Sequence, residues 1–281
     1  MNCIHTRIFA LVVISALTLL AGSAPAQSQR LNLEIGLSQT QYLRYEPIYV
    51  DVTLTNLTSD TVRTIVMDPA AGHHSLDIEL INDKGDTFKY SGGIETLTPA
   101  FAEGVPMSPA ETWYECIDLL LTNAIRDTNL FTRTFLPSLP VGDYKVQLSH
   151  TGISSEQLEF NVRAPEGEEL LAYQAMLETY RPDGKPILAV DGLIPRWEAF
   201  LAKYPDSRYS EKVARDLNVS NGGDAKFLER FPNSGNSLSA VCQLMKSAED
   251  KQAFLKKVIA DHPGTRSAKF AEQLLRRREK K

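Results

Sequence analysis

The 281-residue chain has few of the residues that anchor recognisable chemistry: three cysteines, five histidines and two tryptophans. Cys3 falls in an N-terminal leader, which leaves Cys116 and Cys242, one in each half of the remainder. Neither half can then close an internal disulfide. A bridge between the halves in an oxidising compartment and two separately buried thiols both stay open. The sequence lacks C-x-x-C, H-E-x-x-H, G-x-S-x-G, a Walker loop and G-x-G-x-x-G, so the usual zinc, nucleophile and phosphate signatures are missing. After Leu20 no apolar run approaches the roughly 20 residues that a helix needs to cross a bilayer.

The residues that could still support a site read better as structure. His73-His74 is the one local pair of possible metal ligands, but neighbours on a strand point to opposite faces, and His150 and His262 have no visible link to it. Asn82-Asp83-Lys84-Gly85-Asp86 lacks the spacing of a calcium loop and reads as a hairpin turn. Trp113, Tyr114, Cys116 and Trp197 sit in alternating or helical apolar patterns and are expected in the core. Asn56-Leu57-Thr58 and Asn218-Val219-Ser220 match a glycosylation acceptor pattern only formally. The expectation is therefore no catalytic, metal-binding or cofactor-binding residues and no cofactor, with partner-binding residues unassigned.

What is present begins with a basic start ending at Arg7, an apolar stretch from Ile8 to Leu20 and Ala24-Pro25-Ala26, the pattern of a cleaved secretory signal over residues 1–26. A lipid anchor would need a cysteine just after Ala21-Gly22, where Ser23 stands, so a periplasmic or secreted soluble protein without a membrane span is expected. Charge divides unevenly. Residues 27–165 carry 9 Lys+Arg against 18 Asp+Glu, whereas residues 166–281 carry 20 against 17. The shift supports a boundary near Pro165, and the acidic first half argues against nucleic acid as a partner. The tail Arg276-Arg277-Arg278-Glu279-Lys280-Lys281 could touch anionic surfaces, but it also suits a solvated helix end.

Between residues 27 and 165 a period of two recurs, which is the mark of strands with one buried face. Leu31, Leu33, Ile35 and Leu37 alternate with polar residues or glycine, as do Val50, Val52 and Leu54; Leu76, Ile78 and Leu80; Tyr144, Val146 and Leu148; and Leu158, Phe160 and Val162. Ser91 to Pro109 is too irregular to assign and is expected as a long loop. The stretch from Tyr45-Glu46-Pro47-Ile48-Tyr49-Val50 to Asn56, with Leu139-Pro140-Val141-Gly142-Asp143-Tyr144, resembles bacterial immunoglobulin-like domains of the intracellular-proteinase-inhibitor and macroglobulin-like types. That resemblance implies an antiparallel β-sandwich, and adhesion, spacing or inhibition as its task.

From residue 166 the period becomes helical. Leu170, Leu171, Tyr173, Met176, Leu177 and Tyr180 form one stripe, and Leu193, Trp197, Phe200, Leu201 and Tyr204 the next, with a loop expected at Asn218 to Gly223. An octet then recurs. Phe200-Leu201-Ala202-Lys203-Tyr204-Pro205-Asp206-Ser207 returns as Phe227-Leu228-Glu229-Arg230-Phe231-Pro232-Asn233-Ser234 and, more faintly, as Val258 to Thr265. Each copy is a helix end, a proline stop and a fresh cap. The junctions resemble those of tetratricopeptide-like repeats in bacterial envelope proteins, which implies a hairpin array over residues 166–281. The prolines lie 27 and then 31 residues apart, which keeps a plain helical bundle open.

Together these readings give a multidomain all-β plus all-α expectation: an immunoglobulin-like sandwich over 27–165 followed by a tetratricopeptide-like array over 166–281. A non-catalytic protein-interaction scaffold of the bacterial envelope with a protein partner is the expected function. Protease inhibition through a sandwich loop is the alternative, and a hydrolase using scattered carboxylates is a distant third.

Overall fold

In a computed structural model the described residues are 30–64, 76–91, 105–120, 138–180 and 192–279. The leader, His73-His74, residues 92–104 of the expected loop, and the last two lysines lie outside them. Strands come first: β1 Leu31–Leu37, β2 Gln41–Leu43, β3 Tyr49–Asn56, β4 Val62–Thr64, β5 Asp77–Asn82, β6 Thr87–Ser91, β7 Val105–Met107, β8 Thr112–Asp118, β9 Gly142–His150, β10 Ile153–Ser154 and β11 Leu158–Arg163. Helices follow: α1 Gly167–Tyr180, α2 Ile194–Lys203, α3 Ser210–Asn221, α4 Asp224–Arg230, α5 Ser237–Ser247, α6 Lys251–Asp261 and α7 Arg266–Glu279. Among the described residues no helix is long and apolar enough to cross a membrane.

Three sheets form. One has the order β1-β3-β8, a second β2-β11-β9-β5-β6 with β10 against β9, and a third β4-β7. The alternating apolar residues of the first two meet in one core that includes Val50, Val52, Leu54, Ile78, Leu80, Trp113, Val146, Leu148 and Phe160. Asp83 to Asp86 makes the β5–β6 turn, with the Asn82 side chain accepting from the Lys84 and Asp86 amides at 3.0 and 2.8 Å. Asn56 is fully buried, and its amide donates to the Asp60, Met107 and Ser108 carbonyls at 2.8 to 3.0 Å, so it cannot serve as a glycan acceptor in the folded chain.

The all-β plus all-α expectation is corrected: the chain adopts a mixed α/β architecture, with strands and helices sharing buried cores. The larger sheet is not purely antiparallel, because β2 runs parallel to β11. Val105 to Met107, expected within a loop, is a strand paired to β4. Tyr49 and Cys116 belong to a core cluster with Phe227, Leu238, Val241, Leu255 and Phe270 from the helices. Leu43 at the end of β2 and Tyr45 just after it pack against the cluster of α1, α2 and α3. The helices therefore gain shelter from the sheet as well as from each other, and a free-standing tetratricopeptide-like array is not what forms.

The helix boundaries follow local chemistry. The Asp250 carboxylate caps α6 by accepting from the Gln252 and Ala253 amides at 2.9 and 3.0 Å. The helix α3 runs through the expected loop as far as Asn221, and Gly222 stops it in the left-handed region at φ 71°. The recurring octet has a structural counterpart. The residues before its prolines, Tyr204, Phe231 and His262, end their helices at φ of −127°, −127° and −128° and ψ of 58°, 56° and 52°, each amide donating to the carbonyl four residues back.

Candidate functional site

The outer face of β3 and β8 carries two carboxylates, Asp51 and Asp118, that are paired with arginines of the helices. Register pairs Tyr49 with Asp118 and Asp51 with Cys116 on that face, while Val50 with Ile117 and Leu54 with Trp113 face the strand core. A polar outer face would ordinarily meet water. Here the three helix junctions dock against it or beside it.

The three junctions present equivalent positions, one residue after Ser207, Ser234 and Thr265. At the first, Arg208 reaches back to the β2–β3 connection, with 2.6 Å to Glu46 Oε2, 3.0 Å to Glu46 Oε1 and 2.8 Å to the Gln41 carbonyl. At the second stands Gly235, where an added Cβ would lie 2.5 Å from the Tyr49 ring and 2.9 Å from Cys116 Sγ. At the third, Arg266 makes two charge-assisted bonds to Asp51, 2.7 Å from Nε and 2.8 Å from the terminal nitrogen. Fork-to-fork pairing of this kind fixes orientation as well as contributing energy. Neighbouring junctions are also tied together. Arg230 donates to the Pro205 carbonyl at 2.6 Å, Arg266 to the Asn233 carbonyl at 2.6 Å, and the Ser267 amide to the Pro232 carbonyl at 3.1 Å.

Tyr49 is the centre of this surface. Its hydroxyl donates to Glu211, accepts from Asn236 at 3.0 Å and lies 3.1 Å from Ser234 Oγ. The Arg266 guanidinium lies 5.3 Å from its ring centroid. A second cluster adjoins it, in which Arg215 bridges Asp118 at 3.1 Å and Asp216 at 2.9 Å. Asp216 also takes Lys212 at 3.3 Å and the Tyr180 hydroxyl at 2.5 Å. Ions taken out of water at this depth cost several kcal/mol each unless well paired.

Burial and pairing set the titration of these groups. Burial pushes the carboxyls of Asp118, Glu46 and Glu211 upward, against the pull of Arg215 on Asp118 and Arg208 on Glu46. For Asp51 burial also acts upward, but the bonds from Arg266 and Tyr114 outweigh it and hold the carboxyl below its ordinary value. Asp216 behaves likewise under Lys212 and Arg215. Burial brings Lys212 down to about 8 despite Asp216 beside it. Such shifts occur at catalytic centres and in structural ion networks alike. Here each group is bonded across the sheet and helix halves or within their shared seam, which makes fixing the halves together the chemistry the arrangement performs.

The far edge of β8 is closed differently. The amide of Gln273 accepts from the Tyr114 main-chain N–H and donates to the Tyr114 carbonyl at 3.1 Å, pairing with the strand as another strand would. Beside this cap lies an open depression of about 210 Å³ lined by Pro109, Ala110, Glu111, Thr112, Gln273, Arg276 and Arg277.

The residues weighed from sequence fall mostly elsewhere. Trp113 and Trp197 are 2% and 1% exposed and belong to cores, as expected. Cys116 and Cys242 are both buried free thiols in the same apolar cluster. His150 is buried with its Nε2 2.8 Å from Thr64 Oγ1. Among the described residues no cluster of three or more histidine, cysteine or acidic side chains could hold a metal. Of the expected loop Ser91 to Pro109, residues 92–104 lie outside the described residues. Sequence reasoning passed over Arg208, Arg215, Arg266, Gln273 and Gly235. One signal was available: Arg266 opens α7, where the macrodipole disfavours a cation, so its partner had to come from outside the helix.

No family model matches the chain, and no curated protein matches it significantly. Solved structures give distant likenesses. An alkylpurine DNA glycosylase from Pseudomonas fluorescens, solved bound to DNA with an abasic-site analog, aligns at 13% identity over 48% of this chain and 31% of its own, with a TM-score of 0.30. A β-glucosidase from Listeria innocua aligns at 14% identity over 47% and 16%, TM-score 0.28, and a CARDB domain from Pyrococcus furiosus at 10% identity over 47% and 87%, TM-score 0.26. This chain spans under a third of the first two proteins, and at these scores the likenesses carry no argument about its fold or its task.

Proposed function

We propose that the protein is a non-catalytic interaction scaffold of the bacterial cell envelope, periplasmic or secreted, that works by holding a rigid surface for another protein. The observation that supports this reading is the seam itself. Three arginines of the helical half are used to lock it onto the strand half, by Arg266 on Asp51, Arg215 on Asp118 and Arg208 on Glu46. A body fixed in this way presents its outer faces without rearrangement, which lowers the ordering cost of binding.

Affinity capture from native envelope at moderate salt, using the mature chain as bait, tests the reading. A specific protein is expected, recovered also when bait and prey are recombined in purified form. Recovery of no specific protein would count against it, as would broad substrate profiling that finds turnover abolished by a single substitution.

A further inference from the structure

We infer that the depression beside the Gln273 cap is a docking site for an extended acidic peptide of the partner protein, which would add as a short strand to the edge of β8 and place a carboxylate against Arg276. The inference rests on the scaffold reading and names where and what that scaffold binds.

The geometry starts from the ladder. The Glu111 carbonyl accepts from Asn56 and the Leu119 amide donates to Ile48, so the odd-numbered residues of this stretch face β3. The main-chain groups of Tyr114 face the other way, into Gln273. Two residues earlier, Thr112 must present its N–H and C=O to that same outer edge, because main-chain direction alternates along a strand. Thr112 lines the depression, whereas its hydroxyl is already engaged with Thr55 at 3.2 Å. The depression therefore offers a donor and an acceptor spaced for an incoming strand, the arrangement used in strand addition.

Charge sets the sign of the guest. Arg276 is exposed and makes no ion pair among the described residues, and Arg278 is exposed on the same helix end. The Arg277 guanidinium lies 4.8 Å from the Trp113 ring centroid, which steadies the floor of the site. Glu111, the one acidic residue of the lining against two arginines, has its oxygens turned to the protein, one accepting from the Ser108 amide at 2.8 Å and one from the Trp113 indole N–H at 3.1 Å. A carboxylate entering beside Arg276 finds a guanidinium fork suited to it. The Gln273 cap limits the added strand to a short register at Thr112, since Tyr114 is already paired.

The test uses the mature full chain and an end-blocked, fluorescein-labelled hexapeptide of alternating valine and glutamate, read by fluorescence anisotropy. Saturable binding is expected, weakened about tenfold or more by Arg276→Glu, which lies on an exposed position and leaves the thermal midpoint unchanged. The same peptide with N-methylated backbone, and its lysine counterpart, should both fail to bind. No saturable binding, indifference to Arg276→Glu, or equal binding of the N-methylated peptide overturns the proposal. Sedimentation with vesicles containing anionic lipid, in the absence of peptide binding, also overturns it. If the Arg276→Glu chain still captures the envelope partner at full strength, this site falls while the scaffold reading stands.

Discussion

Gly235→Ala is the substitution that most directly probes how the two halves meet. An added methyl would sit 2.5 and 2.6 Å from two Tyr49 ring carbons and 2.9 Å from Cys116 Sγ, against the roughly 3.5 to 4.0 Å at which carbon atoms pack comfortably. The ring must retreat by about 1 Å, yet its hydroxyl is held by Glu211, Ser234 and Asn236 at once. Either the hydrogen bonds break or helix α5 lifts from the sheet. Overpacking of this kind costs about 1 to 3 kcal/mol, which for a chain of this size lowers the thermal midpoint by about 3 to 10 °C. Thermal unfolding of the mature chain, followed by circular dichroism, measures it. A second variant separates the cause. Tyr49→Phe releases the ring from its anchor, so Gly235→Ala should cost less in that background, with a coupling of about 1 kcal/mol. An unchanged midpoint in Gly235→Ala, or the same loss in both backgrounds, would refute the close approach as its cause.

Further expectations concern charge and cooperativity. Arg266→Met leaves the Asp51 carboxylate half-buried without its fork and should destabilise by about 2 to 4 kcal/mol in urea unfolding. Because the folded Asp51 is held below its ordinary value, its stabilisation is complete above about pH 4 and is lost as pH falls through the folded pKa; Asp51→Asn should remove that part of the acid slope in stability measured against pH. Lys212 is lowered to about 8, so its contribution is greatest above about pH 10.4 and is lost as pH falls through about 8; Lys212→Met should abolish the rise in stability measured across that window. Trp113 reports on the strands and Trp197 on the helices. Single-tryptophan variants should unfold at the same denaturant concentration if the shared core couples the halves, and separated midpoints would contradict that coupling.

The positions of most elements were legible because burial imposes a period. Val50, Val52 and Leu54 announce β3, and the stripes from Trp197 onward announce helices, since in each case the core side must be apolar. The fold class was not legible. Alternation reports that one face of β3 is apolar and is silent on what covers the other, and Asp51 reads as a solvated residue until Arg266 is seen on it. In α1 the apolar stripe was right at Met176 and Tyr180, which are buried, and wrong at Leu170 and Leu171, which are 38% and 58% exposed, while Ala172 and Thr179 outside the stripe are buried. Polar composition at Asn218 to Gly223 suggested a loop, but packing of Val213 and Leu217 carries the helix on to the glycine stop. The repeated octet was visible as a repeat, whereas the contacts that Arg208, Gly235 and Arg266 make just after it depend on strand residues that show no repeat.

The common backbone geometry of the three proline junctions has a consequence for how this chain can change length. An array whose units touch only one another can gain or lose a unit anywhere along its run. Here each bend is pinned to its own notch along the β2–β3 connection and the start of β3, at Glu46, Tyr49 and Asp51, so that stretch acts as a ruler. Removing one helical turn between Pro205 and Pro232, or duplicating the hairpin between them, would throw the later bends out of step with their notches. Growth in this protein is confined to the ends.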